Sequence, residues 1–396
     1  MRRLMEKKED CCGCQACSQV CPKHCIEMRP DEEGFSYPWV DDTACIRCGA
    51  CERVCPIVNV QPDSGQQVPD AYAAVNLDDS VRQNSSSGGV FSALAEHTIR
   101  GGGVVFGAAL SGDCRSVFHT AVDQVEELDK LRGSKYLQSS IGDTYIKAKK
   151  ALTDGKPVLF TGTPCQIEGL KTFLGREYDN LLCADLICHG VPSPGVWNKH
   201  LDELEKQKHF AVSDVLFRHK KWGWHDFSSC YVSTTGKKIV IPHFRDTFMQ
   251  AFLTDGCLRP SCHDCRFRKF HRVSDLTMAD FWGIEDICPE MDDDMGTSLI
   301  LVHSPKGQEA MDALAPRLKM KRVDAGQAIK CNPAMVSSCA AHKNRQVFLD
   351  SLKSTRLKKA VQTYLPLKHK TDPVDVLVKV LKQTGLLKIV KKILGR

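Results

Sequence analysis

Eight cysteines near the start of the chain stand in two copies of one spacing. Cys11, Cys14, Cys17 and Cys21 are separated by two, two and three residues, and Cys45, Cys48, Cys51 and Cys55 repeat the pattern 34 residues later. A proline follows each run, at Pro22 and Pro56. Thiolates are soft ligands that select iron–sulfur clusters or zinc. Short spacings let one loop wrap a cube of iron and sulfide and aim backbone N–H groups at its sulfurs, whereas zinc sites rarely need a doubled four-cysteine run. The chemistry implied is one-electron transfer through two 4Fe–4S clusters.

The run is that of the bacterial ferredoxins, in which the fourth cysteine crosses to the other cluster. The expected sets are therefore Cys11, Cys14, Cys17 and Cys55 for one cluster, and Cys45, Cys48, Cys51 and Cys21 for the second. Cys12 and Cys25 fit neither spacing and read as spare thiols. A second group lies further on. Cys262 and Cys265 form a Cys-x2-Cys pair, and Cys165 and Cys188 each end an expected strand. Strand ends along one sheet edge are where sites form in α/β folds, so these four thiols can converge on a third cluster. Cys257, Cys262 and Cys265 instead match the start of the plant-type ferredoxin spacing, and spacing leaves both sets open. Cys114, Cys183, Cys230, Cys288, Cys331 and Cys339 read as inert buried thiols.

Two segments suit a phosphorylated, ring-bearing cofactor. Ser85–Gly89 precedes a helical pattern over Val90–Ile99, where exposed N–H groups and the helix dipole favour a phosphate; the same residues also make a good N-cap. Gly133-Ser134-Lys135-Tyr136 follows Arg132, supplying cations and an aromatic ring in one loop, or an ordinary solvated turn. Clusters move single electrons and most metabolic substrates take two, so a flavin is the usual converter. Gly101-Gly102-Gly103 lies between a helix and a strand, the wrong order for a dinucleotide fingerprint. His189 beside Cys188 reads as a hydrogen-bond partner, and Trp222-Gly223-Trp224-His225 as packing.

These residues need a frame. Short apolar strands are expected at Val104–Leu110, Val158–Thr161, Leu181–Ile187, Lys238–Ile241 and Ser298–Val302, with a helix over Asp143–Leu152. The fold class expected is α+β. A small bacterial-ferredoxin-like domain (1–60) comes first, then a polar linker, then a larger mixed α/β flavin-binding domain (71–345). A basic helical tail (346–396) ends the chain, with two amphipathic stretches that can lie on an anionic membrane, dock on a partner, or pack on their own domain.

Composition narrows the classes. The 396 residues carry 21 cysteines, ten of them between Cys11 and Cys55, which suits metal binding in a reducing compartment and a cytoplasmic setting. No apolar run reaches the roughly 18–20 residues of a membrane span, and no signal peptide is read. The formal net charge is +6, and residues 366–396 supply that excess, so no nucleic-acid-binding face is indicated.

Taken together, Ser85–Gly89, Arg132–Tyr136, Gly162-Thr163-Pro164-Cys165-Gln166, Ile187-Cys188-His189-Gly190, Arg259-Pro260-Ser261-Cys262-His263-Asp264-Cys265, Ser274-Asp275 and Asp280-Phe281-Trp282-Gly283 resemble the beta subunits of the coenzyme F420 hydrogenase/dehydrogenase family. The match runs from about Ala71 to about residue 345. The resemblance implies FAD, electron passage between flavin and clusters, and in some members a deazaflavin substrate; a plant relative looks like a ferredoxin-fed reductase of a chlorophyll pigment. It implies a third cluster on Cys165, Cys188, Cys262 and Cys265, favouring that set over the one with Cys257. It also implies flavin contacts from Ser87, Gly88, Gly89, Ser134, Lys135 and Tyr136. The basic tail is not part of the family pattern. The function expected is an iron–sulfur flavoprotein oxidoreductase with a ferredoxin-like or other redox protein partner and an unidentified small-molecule substrate. The alternative is a non-catalytic electron-transfer subunit of a larger hydrogenase or dehydrogenase complex.

Overall fold

The computed structural model describes residues 2–60 and 68–366. In the N-terminal module, Ser36–Val40 lies between Arg2–Arg3 and Ile26–Pro30 in an antiparallel sheet. The 34-residue repeat is conformational as well as sequential. Helix Ala16–Val20 recurs as Ala50–Arg53. Gly13 (φ 72°) matches Arg47 (φ 55°), and Gln15 (φ 63°) matches Gly49 (φ 70°). Left-handed residues at these matched positions turn successive N–H groups toward one side, the backbone concavity that receives an anionic group.

The large domain is built on a nine-stranded mixed sheet. Its order is Leu318–Val323, Asp70–Asn76, Ser298–Val302, Leu276–Asp280, Leu181–Leu186, Val158–Thr161, Val104–Leu110, Val117–Val122, Ser139–Ser140. The four strands from Leu276–Asp280 to Val104–Leu110 run parallel, and antiparallel pairs flank them. Parallel strands need both faces covered, and alternation along them does this. Val105 and Leu159 face helix Val90–Arg100. Phe106 and Phe160 face the other way, onto helices Thr144–Thr153 and Pro164–Leu174. A separate antiparallel sheet comprises Val212–His219, Ser228–Ser233 and Lys238–Pro242.

The strands expected from apolar runs are all present, to within a residue at their ends. Two features depart from the sequence reading. Cys12, Cys14, Ala16, Val54 and Ile57 of the module share one apolar core with Phe106, Tyr145 and Ile167, so the linker joins two parts of a common interior. Gln19 Oε1 accepts from Tyr145 N (3.0 Å) and Thr172 Oγ1 donates to Val54 O (2.7 Å) across the same contact. Second, the first part of the expected tail is core: helices Arg345–Ser351 and Leu357–Tyr364 bury Phe348, Leu357, Ala360 and Val361. The two amphipathic stretches expected in the tail lie outside the described residues. No helix among the described residues is long and apolar enough to cross a membrane.

Candidate electron-transfer site

The eight cysteines of the two runs gather in the crossed arrangement. Burial pushes the Cys17 thiol well up, and the facing Cys11, Cys55 and Cys51 thiols push the same way. Burial, with Cys11 and Cys51 nearby, likewise raises Cys55. At the second group, Cys21, Cys45, Cys48 and Cys51 line one cavity. Cys25 lines it too, with its Sγ 3.4 Å from that of Cys21. Burial and the Cys21 thiol lift Cys25 to about 12. Against burial, the N–H groups of Cys25, Lys23 and His24 and the Cys25 thiol bring Cys21 down. Thiolates held this close repel one another as free groups, and a cationic iron–sulfur core relieves that repulsion, so the residues fit the clusters.

A third thiol group forms where the parallel strands end. Val158–Thr161 runs into helix Pro164–Leu174 through a Thr163/Gln166 capping box, which fixes Cys165 in the first turn. Leu181–Leu186 delivers Cys188 from the neighbouring strand. The segment carrying Cys262 is tied to this edge by the Pro192–Leu258 bridge and by Arg259 N donating to Val191 O (2.9 Å). Cys165, Cys188, Cys262 and Cys265 then line one cavity, together with Cys12. The same tie turns Cys257 into the apolar core, fully buried and away from that cavity. Burial raises Cys188 to about 12, with Cys165 and Cys265 adding to it.

Several thiols sit differently from their sequence reading. Cys12 and Cys25, read as spare, belong to the walls of the third and second thiol groups. Cys331 is exposed and Cys339 half-buried, whereas Cys114, Cys183, Cys230 and Cys288 are buried. Cys339 Sγ lies 3.5 Å from His189 Nδ1, and His189 Nε2 lies 2.8 Å from Asp255. Their proximity lifts His189 to about 9 against the effect of burial.

The two segments expected to touch a flavin meet each other. Ser134 N donates to Ser86 Oγ (2.6 Å), and the Ser134 and Ser86 hydroxyls are 3.0 Å apart. Much of their polarity is used inside the protein. Ser87 Oγ donates to Thr297 O (2.8 Å) and Gly88 N to Ser298 Oγ (3.0 Å). A Cβ on Gly88 would collide with Ala74 O, so packing alone demands glycine there. Gly89 takes φ 84° at the cap of helix Val90–Arg100. Lys135 Nζ donates to Lys130 O (3.1 Å) and Arg132 O (2.7 Å), and burial brings its pKa down to about 7. Tyr136 packs 5.0 Å from Phe252 and 5.6 Å from Phe217.

Beside Tyr136 lies a residue that sequence reasoning missed. Arg218 is buried against Phe227 (3.9 Å) and Trp282 (4.9 Å), with Asp280 at 3.1 Å, and Trp282 stacks on Trp224 at 4.8 Å. Among the described residues its Nε and Nη2 have no hydrogen-bond partner, and neither do the buried Ser228 and Ser229 hydroxyls. Buried donors without acceptors are costly, and an anionic or carbonyl-rich ligand such as a flavin would satisfy them. No motif flagged Arg218, because strand alternation alone turns it inward.

The fold and its paired cysteine runs define an iron–sulfur electron-transfer protein. Residues 10–59 match a 4Fe-4S dicluster domain, and residues 155–325 match the family described as the C terminus of the coenzyme F420 hydrogenase/dehydrogenase beta subunit. The chain belongs to that beta-subunit family and carries the dicluster domain ahead of it. A chain of the xenon-derivatised F420-reducing NiFe hydrogenase complex from Methanosarcina barkeri is similar at 14% identity, over 76% of this chain and 95% of that one, with a TM-score of 0.46. No curated protein matches the chain.

Proposed function

We propose that this chain is an iron–sulfur flavoprotein oxidoreductase. It relays electrons between a ferredoxin-like or other redox protein, two N-terminal clusters, a third cluster on Cys165, Cys188, Cys262 and Cys265, and FAD. The two-electron substrate is a small molecule, and a deazaflavin is the class suggested by the family. One observation carries the reading: Cys11 belongs to the first thiol group, and its neighbour Cys12 meets Cys165 of the third group side chain to side chain. The first and third groups are thus joined without intervening solvent, and the shared core holds them in place. Bound clusters supply single-electron steps, and a bound flavin supplies conversion to pairs.

For the flavin, the residues offered are Ser87, Gly88, Gly89, Ser134, Lys135 and Tyr136, with Arg218 added as the buried donor beside Tyr136. All 21 cysteines are free thiols, in keeping with a reducing compartment.

The internal partners of Gly88 and Lys135 favour a second reading, an electron-carrying subunit without its own substrate. Anaerobic titration of the FAD-reconstituted chain with a reduced deazaflavin separates the two. Bleaching of flavin and cluster absorbance together supports the oxidoreductase. Cluster reduction by a ferredoxin, with none by the deazaflavin at any ratio, leaves the carrier.

A further inference from the structure

Arg259 is a fully buried residue at the contact between the module and the large domain. Its donors reach Cys11 O (2.8 Å), Gln138 Oε1 (2.9 Å) and Ser36 O (3.0 Å). Nη2 also lies 3.7 Å from Cys11 Sγ, and the guanidinium sits 4.3 Å over the Tyr37 ring. Every one of these partners is a neutral oxygen, a ring or a thiol. Among the described residues, no carboxylate forms an ion pair with Arg259.

A guanidinium always carries its charge, and a buried charge without a counter-charge is strongly unfavourable. The anionic group missing from its surroundings is at hand. A four-iron cluster with four thiolates is net negative, and it gains one more negative charge on reduction. We propose that Arg259 is the buried counter-charge of the first cluster, held on Cys11, Cys14, Cys17 and Cys55, and that it raises that cluster's reduction potential above that of the second. The proposal rests on the cluster assignment above.

The two clusters differ in this respect. Cations near the second thiol group are Arg2, Lys23 and Arg47, all exposed. Water and salt screen exposed charges, whereas a charge in the interior acts at nearly full strength. The repeat makes the ligand loops alike, so the asymmetry comes from what the large domain adds to one of them. Arg259 also faces Cys12 and Cys262 of the third group. Its charge therefore favours an electron on the side of the molecule where the third group lies. Arg259 is a positioning and tuning residue; it binds no iron itself.

The test uses the full chain, reconstituted anaerobically. Iron and labile sulfide are counted first, so that failure of the cluster assignment shows as missing iron before any potential is read. Potentials are then followed by electron paramagnetic resonance. Arg259→Gln, at wild-type iron content, is expected to lower the reduced fraction of the first cluster at the wild-type midpoint at least tenfold, about 59 mV for one electron. Arg259→Lys keeps the charge and retains most of the wild-type potential. Unchanged potentials in a fully loaded Gln variant overturn the proposal. If that variant does not load, the wild-type order decides, with Cys48→Ser marking the second cluster's signal. A first cluster of higher potential supports the proposal, and a first cluster of equal or lower potential overturns it.

Discussion

The Cys12 and Cys165 thiols touch across the seam between the N-terminal module and the nine-stranded sheet. Cys12 follows a ligand of the first thiol group by one residue, and Cys165 opens a helix at the end of a parallel strand. This single contact turns a ferredoxin module fused to a larger domain into a continuous redox interior.

The third thiol group yields a paired prediction. Cys165→Ala is expected to remove about four iron atoms per chain and leave the two N-terminal clusters intact. Cys257→Ala is expected to keep all the iron and to cost about 1 kcal/mol, because it removes one buried sulfur from an apolar core. Iron analysis beside a denaturant melt separates the two. Iron loss in the Cys257 variant alone would reverse the ligand assignment.

Glu33 and Arg345 form a two-pronged ion pair that ties the module to helix Arg345–Ser351, with both side chains about nine-tenths buried. Arg345→Ala strands the Glu33 carboxylate in the interior. It is expected to cost about 3 kcal/mol and to loosen the module. The measurement is the unfolding midpoint, together with protection of the Glu33 segment from proteolysis. A variant as stable as the wild type would show the pair to be dispensable.

Acid should destabilise the protein through His119. Burial depresses this imidazole from 6.5 to about 4, with its ring held between Ser139 Oγ (2.7 Å) and Thr161 O (2.8 Å). Above pH 6.5 both states are neutral, and the full contribution is present. Below 6.5 the unfolded chain takes a proton that the folded chain refuses, so stability falls down to about pH 4, by on the order of 3 kcal/mol. Thermal melts across this range should decline more steeply in the wild type than in His119→Asn. Parallel declines would show that other groups carry the acid sensitivity.

Arg218→Ala is expected to release flavin from reconstituted chain, at least a tenfold loss of affinity, without loss of iron. Its unpartnered Nε and Nη2 are the donors the flavin would satisfy. Fluorescence of released flavin reads the effect. Retained flavin with normal affinity would remove Arg218 from that site.

Much of this was legible in the sequence, and the reasons differ by region. The doubled cysteine run is local, so its spacing dictates both the loops and the repeated left-handed turns at Gly13/Arg47 and Gln15/Gly49. Cys165 and Cys188 were readable because each ends a short apolar strand of the parallel sheet. The choice between Cys257 and its rivals was not, because it depends on the Pro192–Leu258 bridge, a contact between distant segments. Cys12, Arg218 and Arg259 take their places through packing between elements far apart in the chain, which no periodicity records. The helices at Arg345–Ser351 and Leu357–Tyr364 read as tail because their polar faces dominate, yet Phe348 and Leu357 anchor them.

The most direct test of the account counts iron, acid-labile sulfide and flavin per chain in anaerobically reconstituted protein. The account predicts about 12 iron atoms and 12 sulfides, with one FAD. A chain saturating at about 8 iron atoms, with no flavin bound, would contradict it and leave a two-cluster carrier.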